Sequence, residues 1–267
     1  MKIAALQMVS TPDVARNLDT AASLIDQAAR GGAELVALPE YFCLLGRRDT
    51  DKLAVAEDDG AGPIQQLLAD SARRAKVWLV GGTLPMRTSD PKRVRNSCCV
   101  YAPDGRRVTR YDKIHLFAYD NGSERYDEGR VLEAGDAAVA FEASGLRIGL
   151  SVCYDLRFPE LYRALCSPPC DLLCVPSSFT HITGLAHWEL LLRARAVENQ
   201  CYVIAPAQGG VHENGRRTYG HSMIVDPWGE VLAQRDEGVG VVMAEIDLDR
   251  ITAVRTQLPA LQHRRQL

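Results

Sequence analysis

Apolar and polar positions follow two rhythms along this chain, and the rhythms take turns from one end to the other. Residues 2–8 form a short apolar-rich run that predicts a strand. Residues 17–30 place apolar side chains at the helical repeat and stop at Gly31-Gly32, a pair that ends helices. Residues 35–38 are a continuous apolar run closed by Pro39, the pattern of a strand buried on both faces of an α/β sheet. Residues 64–74 predict a second amphipathic helix and residues 77–83 a second buried strand. Runs 97–102 and 107–111 flank Pro103-Asp104-Gly105, a hairpin signal, so the sheet is not purely parallel. A strand over 146–152 leads to a helix opening near Pro159-Glu160. A long helix over 187–199 precedes a strand over 202–206. Runs 222–226 and 231–235 then flank Pro227-Trp228-Gly229-Glu230, a second hairpin.

One passage repeats in outline. Glu34-Leu35-Val36-Ala37-Leu38-Pro39 is echoed by Asp171-Leu172-Leu173-Cys174-Val175-Pro176, each preceded by a helical segment and each closed by proline. The echo supports a pseudo-symmetric sandwich. Helices alternating with strands, plus two hairpins, imply mixed sheets covered by helices. No linker-like or low-complexity stretch divides the 267 residues, so a single domain over 1–267 is expected.

Composition narrows the class. The chain is 46% hydrophobic and 24% charged, an ordinary globular balance, and its net charge of −3 argues against a nucleic-acid partner. The basic tail His263-Arg264-Arg265 reads as a solvated terminus. No apolar run approaches the roughly 18 residues of a membrane span, and no signal peptide precedes the first strand. A cytoplasmic protein with no membrane partner is the expectation. The eight cysteines then read as reduced thiols. Cys166, Cys170 and Cys174 are spaced by four, which is not the close pairing of thiolate metal sites. Asn121-Gly122-Ser123 fits a glycosylation sequon that a cytoplasmic chain would not use.

In open α/β sheets, reactive groups gather just past the carboxyl ends of strands. Three residues of the right chemistry stand there: Glu40, Lys113 and Cys153. A free thiol is only a few per cent ionised at neutral pH, roughly. A neighbouring ammonium favours the thiolate and a carboxylate can take its proton. Lysine, with the backbone N–H of Tyr154, can also hold an oxyanion. Other thiol and serine chemistries fit less well. A papain-type site needs a histidine partner, and His115, His187 and His221 have no supporting local pattern. Gly149-x-Ser151-x-Cys153 lacks the closing glycine of a nucleophile elbow.

The local words are more specific than the spacing. Leu38-Pro39-Glu40-Tyr41-Phe42, Tyr111-Asp112-Lys113-Ile114-His115-Leu116-Phe117 and Cys153-Tyr154-Asp155-Leu156-Arg157-Phe158-Pro159-Glu160 resemble the three catalytic blocks of the nitrilase (carbon–nitrogen hydrolase) superfamily, in the same order. The resemblance runs over essentially the whole chain. It implies an α-β-β-α sandwich of two mixed sheets covered by helices, a Glu-Lys-Cys triad, no metal or cofactor, and homodimers or larger assemblies packed through helices beside the active site. It also implies a second glutamate near the triad. Glu128, in Tyr126-Asp127-Glu128, matches that position and would orient Lys113 and the hydrolytic water. The chain departs from the pattern over residues 118–125, where Ala118 stands in place of a frequent aspartate.

Further words resemble one branch of that superfamily, the branch that holds ω-amidases and deaminated glutathione amidases. They are Thr183-Gly184-Leu185-Ala186-His187-Trp188-Glu189, Arg193-Ala194-Arg195-Ala196-Val197-Glu198-Asn199-Gln200, Tyr219-Gly220-His221-Ser222 and Asp226-Pro227-Trp228-Gly229. The tail, with Leu258-Pro259 and Gln262-His263-Arg264-Arg265, is closer to the second activity. The resemblance implies cleavage of a small keto-acid amide through a thioester, with water as co-substrate. By the same resemblance Arg157 is the carboxylate-binding arginine, and Tyr154, Phe179 and Thr183 line the substrate site; an ion pair of Arg157 with Glu160 or Asp155 is the structural alternative. An ω-amidase, another amide or N-carbamoyl hydrolase, and a non-catalytic scaffold are the competing functions. A scaffold member would be expected to have lost a triad residue, and none is lost here.

Overall fold

The structure, a computed structural model, describes residues 1–122 and 124–265. Ser123, the last residue of the sequon, lies outside them. Two sheets pack face to face with helices on their outer sides. The first runs Gly240–Glu245, Lys2–Gln7, Leu35–Ala37, Trp78–Val80, Val94–Tyr101 and Leu84–Arg87 in spatial order, with Arg107–Asp112 also paired to Val94–Tyr101. The second runs Val231–Arg235, Ser222–Val225, Tyr202–Ala205, Leu172–Cys174, Leu146–Leu150 and Val139–Ala143. Each sheet has three parallel strands at its centre, flanked by antiparallel ones. Leu35–Ala37 and Leu172–Cys174 are the middle strands of the two trios. The sequence echo therefore marks equivalent places in the two sheets, and both strands are unbroken apolar runs because both of their faces are covered.

Strand side chains point alternately to opposite faces. Ile3, Ala5, Leu35 and Ala37 share one buried cluster with the second sheet. Ala4, Leu6, Val36 and Leu38, one residue out of phase, pack with Leu24, Ile25 and Ala28 of the helix Val14–Arg30 and with Leu68 and Ala72 of the helix Pro63–Ala75. The four-layer arrangement follows from that alternation.

Several boundaries differ from the pattern, each for a local reason. The first helix starts at Val14 because the Asp13 carboxylate caps it, accepting from Arg16 N–H at 3.2 Å. The helix His181–Asn199 begins six residues before the predicted start at 187, capped by Thr180. Gly184 weakens the helical signal there, yet a Cβ at that position would collide with Tyr219, so glycine is what lets the helix approach the strand Arg217–Tyr219. The strand predicted over 77–83 ends at Val80. Gly82, at φ 56°, turns the chain under Pro39, whose carbonyl leaves no room for a side chain. The strand Leu84–Arg87 after it escaped the pattern because it holds Pro85, which is tolerated at this sheet edge.

All eight cysteines are free and buried. Cys166 and Cys170 lie beyond the helix Pro159–Leu165, and Cys174 closes its strand. Among the described residues, no cluster of three or more histidine, cysteine or acidic side chains is placed to hold a metal. No helix among them is long and apolar enough to cross a membrane.

Asn17, inside the first helix and 2% exposed, ties that helix to two loops. Its amide donates to the carbonyls of Thr11 (2.8 Å) and Cys43 (3.0 Å), and its Oδ1 accepts from Thr11 N–H at 2.8 Å. Asn17→Ala leaves these buried groups without partners and is expected to cost about 1–3 kcal/mol. A urea titration would show a lower midpoint at unchanged slope; an unshifted midpoint would refute the role.

Candidate active site

Glu40, Lys113 and Cys153 come from three strand ends and meet between the sheets. Glu40 follows Leu35–Ala37 by three residues, Lys113 directly follows Arg107–Asp112, and Cys153 opens a 3₁₀ turn, Cys153–Arg157, beyond Leu146–Leu150. Lys113 Nζ donates to Glu40 Oε1 at 2.9 Å and to Glu128 at 2.8 and 3.1 Å. Asn96 Nδ2 donates to the same Glu40 oxygen at 2.9 Å. Glu128 also accepts from Tyr41 Oη at 2.6 Å and from Phe117 N–H at 2.7 Å. The Cys153 thiol lies close enough to the Glu40 carboxylate and to the Ser178 backbone for each to act on its proton affinity.

Burial and proximity set the proton affinities apart. Burial pushes the Glu40 carboxyl above its usual range, with Lys113 opposing and Glu128 reinforcing. Burial acts on Glu128 in the same direction, but Lys113 and the hydrogen bonds from Phe117 and Tyr41 overcome it and hold that carboxyl below its usual range. Burial disfavours the Lys113 ammonium, yet Glu128, Glu40 and Cys153 together hold its pKa well above the ordinary lysine value. The Cys153 thiol is pushed well up, first by burial and then by Glu40, against Lys113. Two carboxylates and a dry site act against one cation and favour the thiol form, beside a carboxylate made more basic by burial, as a proton transfer from Cys153 to Glu40 requires.

The turn that bears Cys153 is held under constraint. Cys153 adopts φ 51°, a left-handed conformation costly for a residue with a side chain. Its N–H donates to Pro176 O at 3.0 Å, so the echoed strand end supports the turn. The Tyr154 N–H falls among those that a helix start leaves without an intrahelical partner. Asp155, fully buried, binds the turn to the segment carrying Lys113. It accepts from Val152 N–H (2.8 Å), Tyr111 Oη (2.6 Å) and His115 N–H (3.0 Å), and its Oδ1 lies 2.7 Å from His115 Nδ1. Tyr111 and His115 flank Lys113 on either side.

A small, tight cavity opens beside the sulfur. Tyr154, Arg157, Phe179 and Thr183 all line it, together with Phe117, Ser178 and Thr180. Thr183 lies in the first turn of the helix His181–Asn199 rather than in a loop, and its hydroxyl pairs with that of Thr180 at 2.8 Å. Arg157 spreads over the rings of Tyr154 and Phe179, 5.9 and 5.5 Å from their centroids, and its Nη1 lies 3.3 Å from His187 Nδ1. Asp155 is occupied elsewhere, and among the described residues no carboxylate stands within ion-pair distance of Arg157. The anticipated alternative of a structural pair with Glu160 or Asp155 is not what forms.

Sequence reasoning passed over Tyr41, Asn96 and the clamping role of Asp155. Tyr41 and Asp155 lie inside the recognised words, so a search for buried hydrogen-bonding side chains there would have found them. Asn96 carries no local signal.

Residues 2–256 match the carbon–nitrogen hydrolase family. The chain is 44% identical over 265 residues to the deaminated glutathione amidase of Synechocystis sp., covering 98% of this chain and 97% of that protein. It is 37% identical to omega-amidase NIT2-A of Xenopus laevis, covering 99% and 95%. Among solved structures, Nit3 of Saccharomyces cerevisiae, a member of branch 10 of the nitrilase superfamily, aligns with a TM-score of 0.90 at 31% identity over 100% of this chain and 97% of that one. The α-β-β-α fold, the ordered Glu, Lys and Cys words and these likenesses agree: the chain belongs to the carbon–nitrogen hydrolase family.

Proposed function

We propose that this protein hydrolyses the C–N bond of a small keto-acid amide through a Cys153 thioester, and that its foremost substrate is deaminated glutathione. The observation that carries the reading is the buried Lys113 ammonium, 2.9 Å from Glu40 and 2.8 Å from Glu128, beside the Cys153 thiol. Glu40 takes the thiol proton as sulfur bonds to the amide carbon. The carbonyl oxygen gathers negative charge, which Lys113 and the Tyr154 N–H stabilise. The C–N bond then breaks, and the protonated Glu40 returns its proton to the leaving nitrogen. Water, deprotonated by Glu40 and oriented with the help of Glu128, attacks the thioester. The C–S bond breaks, the acid departs and the thiol regains its proton.

Arg157 gives the substrate its expected shape. A guanidinium with free edges, in a small aromatic cavity beside the nucleophile, suits the carboxylate of a keto acid. A second reading, ω-amidase action on α-ketoglutaramate, is favoured by the small volume of that cavity and would release ammonia. The amide and water are the only partners that the chemistry requires. We also propose a homodimer built on the helix His181–Asn199. That helix exposes Ile182 (47%) and Leu185 (69%) three residues apart, and Leu190 (67%) and Val197 (48%) seven apart.

Wild-type protein should release amine or ammonia from deaminated glutathione or α-ketoglutaramate, and Cys153→Ala should abolish release while leaving the unfolding midpoint near wild type. Turnover by the alanine variant would end the mechanism. Glu40→Gln and Lys113→Ala should each lower kcat/KM by at least about 100-fold. Glu40 works as a base only when ionised and its pKa is raised. Activity should therefore fall, as pH drops, with a midpoint above the ordinary carboxylate range. An acid limb at or below that range would contradict the assignment. For the assembly, Leu185→Glu should shift the mass measured by light scattering from dimer toward monomer, and an unchanged dimer would rule that face out.

A further inference from the structure

Next to Glu128 lies a second cavity, which the reaction described above leaves unused. It is narrow and shares Phe117 with the Arg157 cavity. Tyr41 and Glu128 form its inner wall, and Lys52 and Arg216 bring two cations to it. Aromatic faces position both. Lys52 Nζ lies 4.8 Å from the centre of the Tyr41 ring, and the Arg216 guanidinium 4.5 Å from that of Tyr126.

Neither cation is neutralised closely. Lys52 has Asp49 Oδ1 at 3.8 Å, on an aspartate side chain that is 61% exposed. Among the described residues, no carboxylate stands within ion-pair distance of Arg216. Glu128 is already engaged by Lys113, Tyr41 and Phe117. The Lys52 side chain is only 13% exposed, and burial draws its ammonium below the ordinary lysine value in spite of Asp49 and Glu128. A buried cation so little compensated is stabilised by an incoming anion. Asp49 and Asp127 also stand on the wall. Their charge limits the site to a single carboxylate and disfavours a polyanion.

We propose that Lys52 and Arg216 form a second carboxylate subsite, across Phe117 from Arg157, that receives the carboxylate of the departing amine. The inference rests on the reading that Arg157 takes the keto-acid end of the acyl group. It makes the preferred substrate an amide with a carboxylate on each side of the scissile bond. A continuous set of contacts joins the two places: Lys113 Nζ donates to Glu128 at 2.8 Å, Tyr41 Oη donates to Glu128 at 2.6 Å, and Lys52 lies over the Tyr41 ring. Cysteinylglycine, the amine released from deaminated glutathione, ends in a carboxylate. Ammonia, released from α-ketoglutaramate, leaves the subsite empty.

The two substrates share an acyl group, so their ratio isolates the leaving side. In Lys52→Met and in Arg216→Gln, the kcat/KM preference for deaminated glutathione over α-ketoglutaramate should fall by about tenfold, mainly through KM. An unchanged ratio in both variants overturns the inference. Wild-type protein inactive on both substrates would overturn the keto-acid reading instead, and the subsite then has its own test. Calorimetry on Cys153→Ala protein should detect cysteinylglycine, with affinity reduced about tenfold when the glycine carboxylate is amidated or when Lys52→Met is added. Absent binding, or binding indifferent to both changes, refutes the subsite.

Discussion

The ammonium of Lys113 is fully buried, and an ion taken out of water persists only where its partners stay fixed around it. Here the partners are Glu40 and Glu128, each within 3 Å and each delivered by a different part of the chain. Losing either carboxylate would strand charge in a dry interior, so the three segments are obliged to meet. The same geometry separates the two acids. Glu128 accepts three kinds of donor and is held ionised, whereas Glu40, with Asn96 and Lys113 on one oxygen, is left with a raised proton affinity. One carboxylate serves to anchor the cation and the other is free to exchange a proton.

The scaffold repeats this economy in its connections. Asp155 joins the Cys153 turn to Tyr111 and His115 on either side of Lys113, so the cation and the sulfur cannot drift independently. The Pro176 carbonyl holds the Cys153 N–H, and Thr83 Oγ1 accepts from Tyr41 N–H at 2.8 Å beneath Glu40. Each group is fixed by the neighbouring strand end, and few of the constraints reach outside the rim where the two parallel trios face one another.

Much of this was legible in the order of residues. Unbroken apolar runs at 35–38 and 172–175 located the central strands, because strands covered on both faces have no polar side to show. Glu40, Lys113 and Cys153 were found because reactive groups past strand ends have few other reasons to stand there, and Glu128 and Arg157 came with the family words. What stayed hidden depends on contacts between distant segments. Asn96 lies within a strand pattern and gains its role only from the approach of Glu40. Gly184 reads as a helix breaker until Tyr219 is seen against it. How strongly burial acts on Cys153 was not legible either, because spacing conveys which charges are near but not how dry the site is.

That dryness bears on how long such a molecule lasts. Peroxide, alkylating agents and soft metal ions attack thiolates, and low-pKa exposed cysteines are the ones cells lose to oxidation. Cys153 is 7% exposed and its thiol is held well above ordinary proton affinity. In the proposed mechanism the proton passes to Glu40 as a carbonyl carbon arrives to share the electron pair, so the dry site ties the sulfur's reactivity to an occupied pocket.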